Sequence, residues 1–324
     1  MKNLISIVIV FGIMLLAIPS IALIDKNDVD NKIISNNQSN NIDSIKLLDI
    51  SNNKVKELSL KDYIVGSVLS QMPANFEIDT LKAQAVIAHT YIVRRRIAEK
   101  ENPTENLKGA DLSTDITRYN SCFTKEQAKL LYGESFDENY KKIESAVEDV
   151  LGKIIVYNNE PIIPAFHSMS GDKTESSDIA WGNEYPYLIS VDTKEDKSQT
   201  GYIETTNFTF DEFSSRLSQS NLSIDFFEDK TKWIDNINKS EAGTVIDLDV
   251  CGEKITGQQF KDILNLRSAC FEITIENNAV KITTKGVGHG VGLSQYGANQ
   301  LAKDGKKYDE ILKYYYTGVE IKKI

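Results

Sequence analysis

Apolar positions follow helical spacing most clearly between residues 60 and 96. Leu60, Ile64, Val65, Val68 and Leu69 fall on one face of a predicted helix. Pro73 ends it, because the residue before a proline is pushed out of the α region. A second helix is expected to start at Asp79 as its cap and to carry Leu81, Ala85, Ala88 and Ile92. It ends in Arg94, Arg95 and Arg96, the sign its dipole favours. The alanines predict close packing by other elements, which puts this helix at the centre of the fold.

The remaining pattern is arranged around that pair. Residues 45–58 alternate weakly, as one or two strands do, and 99–121 is a polar stretch expected as an ordered surface loop. Lys125 to Tyr132 and Asp137 to Leu151 have helical spacing, and Gly152 closes the second. LGKIIVYNNEPIIPAF alternates strand and turn, with Asn158-Asn159 at the turn and His167 at the end of the second strand. Asp211 to Ser218 and Gly257 to Asn265 are predicted helices within a polar region, 197–265, that shows no chemistry of its own. Residues 269–284 form a hairpin about Asn277-Asn278, and helices from Ser294 to Lys303 and from Tyr308 to Tyr315 close the chain. This order is not a repeated βαβ unit. It predicts an α+β fold: a single mixed domain with a central Ala-rich helix, antiparallel strand pairs and peripheral helices.

Leu4 to Ile24 carries no charge, and a membrane-spanning helix needs about 20 apolar residues. Its length favours an N-terminal transmembrane anchor, although Ser20 and Ala22 offer a weak cleavage site for a signal peptide. The expected layout is an anchor over 1–24, a flexible Asn-, Asp- and Ser-rich linker over 25–44 and a folded region over 45–324 outside the cytoplasm. The net charge of −10 argues against nucleic acid as a partner. Cys122, Cys251 and Cys270 are few for an exported chain; Cys251 and Cys270 could pair, and two free thiols are the simpler expectation. No local pair has metal-ligand spacing, so neither metal nor other cofactor is predicted.

Candidate chemistry falls in three places. Gln71 lies in the last turn of the first helix beside Met72, Pro73 and Phe76. A carboxylic acid there would feel the negative end of the helix dipole and apolar neighbours, both of which favour its neutral form. The place suits a general acid, yet the residue is an amide. The second place is His167, Ser168, Ser170, Gly171, Thr174 and Glu175 after a strand end, followed by Trp181 and Pro186-Tyr187. Aromatic faces beside hydroxyl and carboxylate groups suit a sugar. The third is Gly286 to Gly292, with alternate glycines around His289, leading to Ser294, Gln295 and Tyr296. These glycines do not form a nucleotide loop; they are expected to let backbone approach a ligand or the central helix.

Three ordered blocks resemble the stage II sporulation protein D family, exported peptidoglycan-cleaving lytic transglycosylases of spore-forming bacteria. They are GSVLSQMP with LKAQAVIAHTY, FHSMSGDKTESSDIAWGNEYPYLISVDTKED from Phe166 to Asp196, and GVGHGVGLSQYGANQLAKDGKKYDEILKYYYTGV from Gly286 to Val319. The resemblance implies a catalytic role for position 71, where the family has Glu-Met-Pro and this chain has Gln71-Met72-Pro73. It also has Arg where this chain has His89. Substrate contacts are implied for His167, Ser168, Ser170, Glu175, His289, Gln295 and Tyr296. Some relatives bind zinc in the region of Asp111 to Gln127, which here keeps Cys122 and no histidine. The implied partners are glycan strands, a membrane-bound amidase-endopeptidase and a multispanning recruiting membrane protein, at work during forespore engulfment. Two functions follow: a glycan-cleaving enzyme with its acid supplied elsewhere, for which Glu77 and Glu175 are the carboxylates at hand, or a membrane-tethered glycan-binding protein that no longer cuts.

Overall fold

The computed structural model describes residues 44–324 except 221 and 277. The expected anchor over 1–24 and all but the last residue of the linker lie outside the described residues. No helix among the described residues is long and apolar enough to cross a membrane. The fold is mixed α+β, as the pattern predicts. The described residues divide into two compact units, residues 44–164 with 302–311 and 318–324, and residues 165–301 with 312–317.

The first unit opens with an antiparallel hairpin, β1 (Ser44–Asp49) and β2 (Lys54–Ser59). Helix α1 (Leu60–Gln71) starts at Ser59, whose hydroxyl accepts from the Asp62 N–H, and ends where Met72 turns extended before Pro73. Helix α2 (Ile78–Glu101) is capped at Glu77, not at Asp79 as expected. Glu77 keeps the extended backbone of a cap, whereas Asp79 is already helical. The Asp79 carboxylate instead accepts from Tyr308 N at 3.1 Å and Lys307 Nζ at 3.3 Å. Part of the expected surface loop is a strand, β3 (Leu112–Ser113), which pairs in parallel with β1 and buries Leu112 completely. Helices α3 (Lys125–Tyr132) and α4 (Phe136–Val150) follow, then β4 (Lys153–Tyr157), a turn at Asn158 and Asn159 and β5 (Glu160–Pro161). Both turn asparagines have positive φ, 50° and 67°, the geometry a two-residue hairpin needs. The strand Glu320–Lys323 completes this sheet on the other edge of β4.

Helix α2 packs on α1, α4 and β4 and is buried on nearly every side from Thr80 to Ile92. Its alanines let those neighbours close in, which gives it the central place the sequence predicts. His89 is inside this packing, with Nδ1 3.0 Å from the Lys153 carbonyl. Burial holds its pKa down at about 4, so the imidazole is neutral and donates.

The second unit contains, in chain order, β6 (Phe166–His167), α5 (Ser177–Trp181), β7 (Ile203–Thr209), α6 (Phe210–Ser218), β8 (Ile234–Lys239), β9 (Val245–Val250), β10 (Glu253–Thr256), α7 (Gly257–Leu264), β11 (Phe271–Glu276), β12 (Ala279–Lys285) and β13 (Leu293–Ser294). Strands β7, β12 and β11 form one antiparallel sheet and β8, β9 and β10 another. Phe213, Leu217, Trp233, Leu248, Phe260, Phe271 and Ile282 bury themselves together, with the Phe213 and Trp233 rings stacked at 5.9 Å. Region 197–265, silent in the sequence, therefore supplies much of a separate apolar core, and that core makes the second unit a body of its own.

Beside this core, β6 and β13 pair in parallel and bring the second and third sequence blocks together. The alternate glycines make that possible by letting the segment 165–175 approach closely. A Cβ on Gly292 would lie 2.1 Å from the Ala165 carbonyl oxygen, and one on Gly286 2.5 Å from that of Ser170. Both have positive φ, 74° and 73°.

Candidate functional site

In the first unit the candidate site is a socket around Gln71. It starts with Gly66, on α1, where a Cβ would fall 2.4 Å from the Phe123 carbonyl oxygen and 2.7 Å from Cys122 Sγ. With no Cβ there, segment 121–123 lies flat on the helix and Phe123 N donates to the Gly66 carbonyl at 3.0 Å. This sets the Ser121 carbonyl beside the end of α1, where it accepts from Ser70 Oγ at 2.8 Å and Gln71 Nε2 at 3.0 Å. The Gln71 Oε1 atom accepts from Gln84 Nε2 at 3.0 Å. Gln71 is 7% exposed and Gln84, on α2, fully buried.

A carbonyl can only accept, so the Gln71 atom facing Ser121 is the NH₂ and the one facing Gln84 is the oxygen. The socket thus sets an acceptor, the Ser121 carbonyl, against one end of the side chain and a donor, the Gln84 amide, against the other. A protonated carboxylic acid meets both as well as an amide does. An ionised carboxylate would set an acceptor against an acceptor, and an unmet buried polar group costs about 1–3 kcal/mol.

In the second unit the site residues gather around β6 and β13. His167 Nδ1 lies 3.1 Å from the Val291 carbonyl and Nε2 2.6 Å from Ser170 Oγ. Nδ1 therefore carries the hydrogen and Nε2 accepts from the serine. Burial, with His289 nearby, holds the His167 pKa down at about 3. Val291 also donates its N–H to His289 Nδ1 at 3.1 Å, so one residue's peptide groups orient both imidazoles. The hydrogen of neutral His289 is then on Nε2, and burial keeps that ring's pKa at about 4. Its ring lies 5.7 Å from that of His167 and 5.6 Å from that of Trp181.

Asp196 joins the blocks from below. Its Oδ2 accepts from Ser170 N at 2.8 Å and Ser294 Oγ at 2.7 Å, and it is fully buried. Burial outweighs these bonds and raises its carboxyl pKa to about 7. Glu175 is buried too: Oε1 accepts from Ser176 N at 2.9 Å and Oε2 from Ser240 Oγ, while its own N–H donates to the Gly290 carbonyl. The Ser168 carbonyl takes Tyr296 N at 3.1 Å.

The expected substrate residues thus divide by what their polar atoms already hold. His167, Ser170 and Glu175 spend theirs on framework bonds inside the unit, and Gln295 is also buried. Ser168, His289 and Tyr296 are the half-buried ones, with Trp181 beside His289. Glu77, a carboxylate at hand for the missing acid, is the cap residue of α2. Sequence reasoning missed Gln84, Ser121 and Asp196. An amide in an alanine run was the available signal for Gln84; Asp196 closes the second block without standing out from its acidic neighbours, and Ser121 sits in ordinary polar sequence. Cys122, Cys251 and Cys270 are free thiols. No cluster of metal-ligating side chains occurs among the described residues.

A family model described as Stage II sporulation protein matches residues 49–157. Stage II sporulation protein D of Bacillus amyloliquefaciens is 36% identical over 278 residues, 86% of this chain and 78% of that protein. The Bacillus subtilis protein of the same name is 37% identical over the same shares. The chain belongs to the stage II sporulation protein D family. Another B. subtilis protein similar to this family member, named amidase enhancer, is 26% identical over 79% of this chain and 40% of its own length.

Proposed function

We propose that this protein acts on the glycan strands of peptidoglycan during sporulation, at forespore engulfment, through a lytic transglycosylase site whose acid is replaced by Gln71. The observation that carries the reading is the socket at position 71, complementary to a neutral carboxylic acid and filled by its amide isostere. In the reaction implied by family resemblance, one carboxylic acid protonates the glycosidic oxygen as the bond after N-acetylmuramic acid breaks. The 6-hydroxyl of the same sugar closes on the anomeric carbon, and the carboxylate takes its proton. One residue does both transfers, where hydrolysing glycosidases use a pair. Gln71 has no proton to exchange, and general acid–base assistance is typically worth about 10²–10⁴-fold.

The chain as it stands therefore binds glycan and cuts it slowly or not at all. In the second unit the half-buried Trp181, His289, Ser168 and Tyr296 are the groups proposed to meet sugar. The uncharged segment 4–24 would hold the protein to the membrane with the folded region outside the cytoplasm. There it would work beside an amidase-endopeptidase that removes stem peptides and a multispanning protein that recruits both. To test this, the full-length chain is incubated with glycan strands freed of stem peptides, and anhydromuramic ends are sought by mass spectrometry. Binding with little product is expected from the chain itself, and a gain of about 10²-fold or more from Gln71→Glu. Equal product from both would remove position 71 from the chemistry.

A further inference from the structure

We propose that Gln84 and the Ser121 carbonyl are positioning groups that hold the side chain at position 71 as a neutral donor–acceptor pair, Gln84 fixing one end and Ser121 taking the end that bears hydrogen. The name "positioning" rests on the glycan-cleaving reading above; the electrostatic content does not. Three observations carry it. Gln84 is fully buried on a helix of alanines, where an unpartnered amide would be expensive, and its NH₂ is directed at Gln71 Oε1. Ser121 is set on α1 by the close approach at Gly66 and by Ser70, so its carbonyl is fixed before position 71 is considered. The two groups have opposite hydrogen-bonding sense, so residue 71 must donate on one side and accept on the other.

The consequence for an acid at this position is definite. Deprotonation would turn the donor facing Ser121 into a second acceptor, while the Gln84 N–H would still favour whichever oxygen it meets. Ser121 thus resists ionisation and Gln84 moderates that resistance while fixing the carboxyl plane. The socket keeps residue 71 protonated and fixes the plane of its carboxyl, as a general acid requires.

The test is a titration, independent of cleavage. Full-length Gln71→Glu is labelled with ¹³C at glutamate carboxyls. The one carboxyl resonance that the substitution adds is found by difference from the unsubstituted chain and followed against pH. The expected midpoint is about 6 or higher, against about 4.3 for an ordinary glutamate. Adding Gln84→Met removes an N–H that favours the carboxylate, so the midpoint rises further, by about one unit. Adding Gln84→Glu gives two coupled carboxyls and two separated steps. A midpoint near the ordinary value of about 4.3 for the added carboxyl in the single variant overturns the proposal, whether or not the double variants fold. So does a midpoint that Gln84→Met leaves in place. A raised midpoint without anhydro product supports the socket and counts only against the glycan reading.

Discussion

The two units each bury a polar cluster, and the clusters are built on opposite principles. Around position 71 the groups are neutral and donors meet acceptors: Ser70, Ser121, Gln71 and Gln84. Around Asp196 an ionisable carboxyl is held in a dry place with its pKa pushed up to about 7, beside two histidines held at about 3 and about 4. None of the four groups around position 71 titrates, and an acid at that position would add one that does. The second couples the stability of its unit to pH already. A buried polar site can thus be kept quiet by complementarity or kept under electrostatic tension, and only the first suits an orienting socket.

The largest expected effects come from forcing either cluster apart. Gly292→Val places a side chain on the Ala165 carbonyl at positive φ and should destabilise the second unit by about 4 kcal/mol or more. Gly66→Val should lift segment 121–123 off α1 and cost the first unit about 1–3 kcal/mol. Hydrogen exchange read separately for the two units measures both. Each substitution is expected to lower protection mainly in its own unit; equal losses in both would break the comparison.

Titration sharpens it. A histidine whose pKa is depressed by folding contributes stability that is present above about pH 6.5 and lost as pH falls. His89 does this for the first unit, His167 and His289 for the second. Asp196 works the other way: its raised pKa means the folded state keeps a proton, so stability is full at about pH 4 and is lost as pH rises to about 7. Between about pH 4 and 6.5 it offsets one of the two histidines of its unit. Asp196→Asn removes that offset. Acid loss in the second unit should steepen from about 1.4 to about 2.7 kcal/mol per pH unit, and the variant should gain on the parent as pH approaches 7. Denaturation followed at pH 4.5, 6 and 7.5 would show it; unchanged slopes would mean Asp196 is not under tension. Ser170→Ala is the smallest change, leaving His167 Nε2 without its donor at a cost of about 1 kcal/mol in the second unit and nothing in the first.

Much of the scaffold was legible because it obeys local rules. Pro73 stops α1, Gly152 follows α4 and the paired asparagines 158 and 159 turn a hairpin, each for a backbone reason contained in a few residues. The cap of α2 was misplaced because Asp79 is a good cap type, yet here it serves Lys307 and Tyr308 from far along the chain. The second core was not legible, since its aromatic residues are scattered singly from Phe208 to Phe271 and periodicity over a window cannot collect them. The alternate glycines announced a close approach but not what approaches. Position 71 could be picked out by its place at a helix end; Gln84 and Ser121, which define its chemistry, are 13 and 50 residues away and meet it only through folding.

The amide at position 71 makes the chain itself suited to trapping a bound glycan, and a crystal structure with a peptide-free tetrasaccharide of alternating glucosamine and muramic acid is the most direct test. The account predicts the glycosidic oxygen after a muramic acid residue within hydrogen-bond reach of the Gln71 amide, about 3 Å. A tetrasaccharide seated away from Gln71 would contradict it.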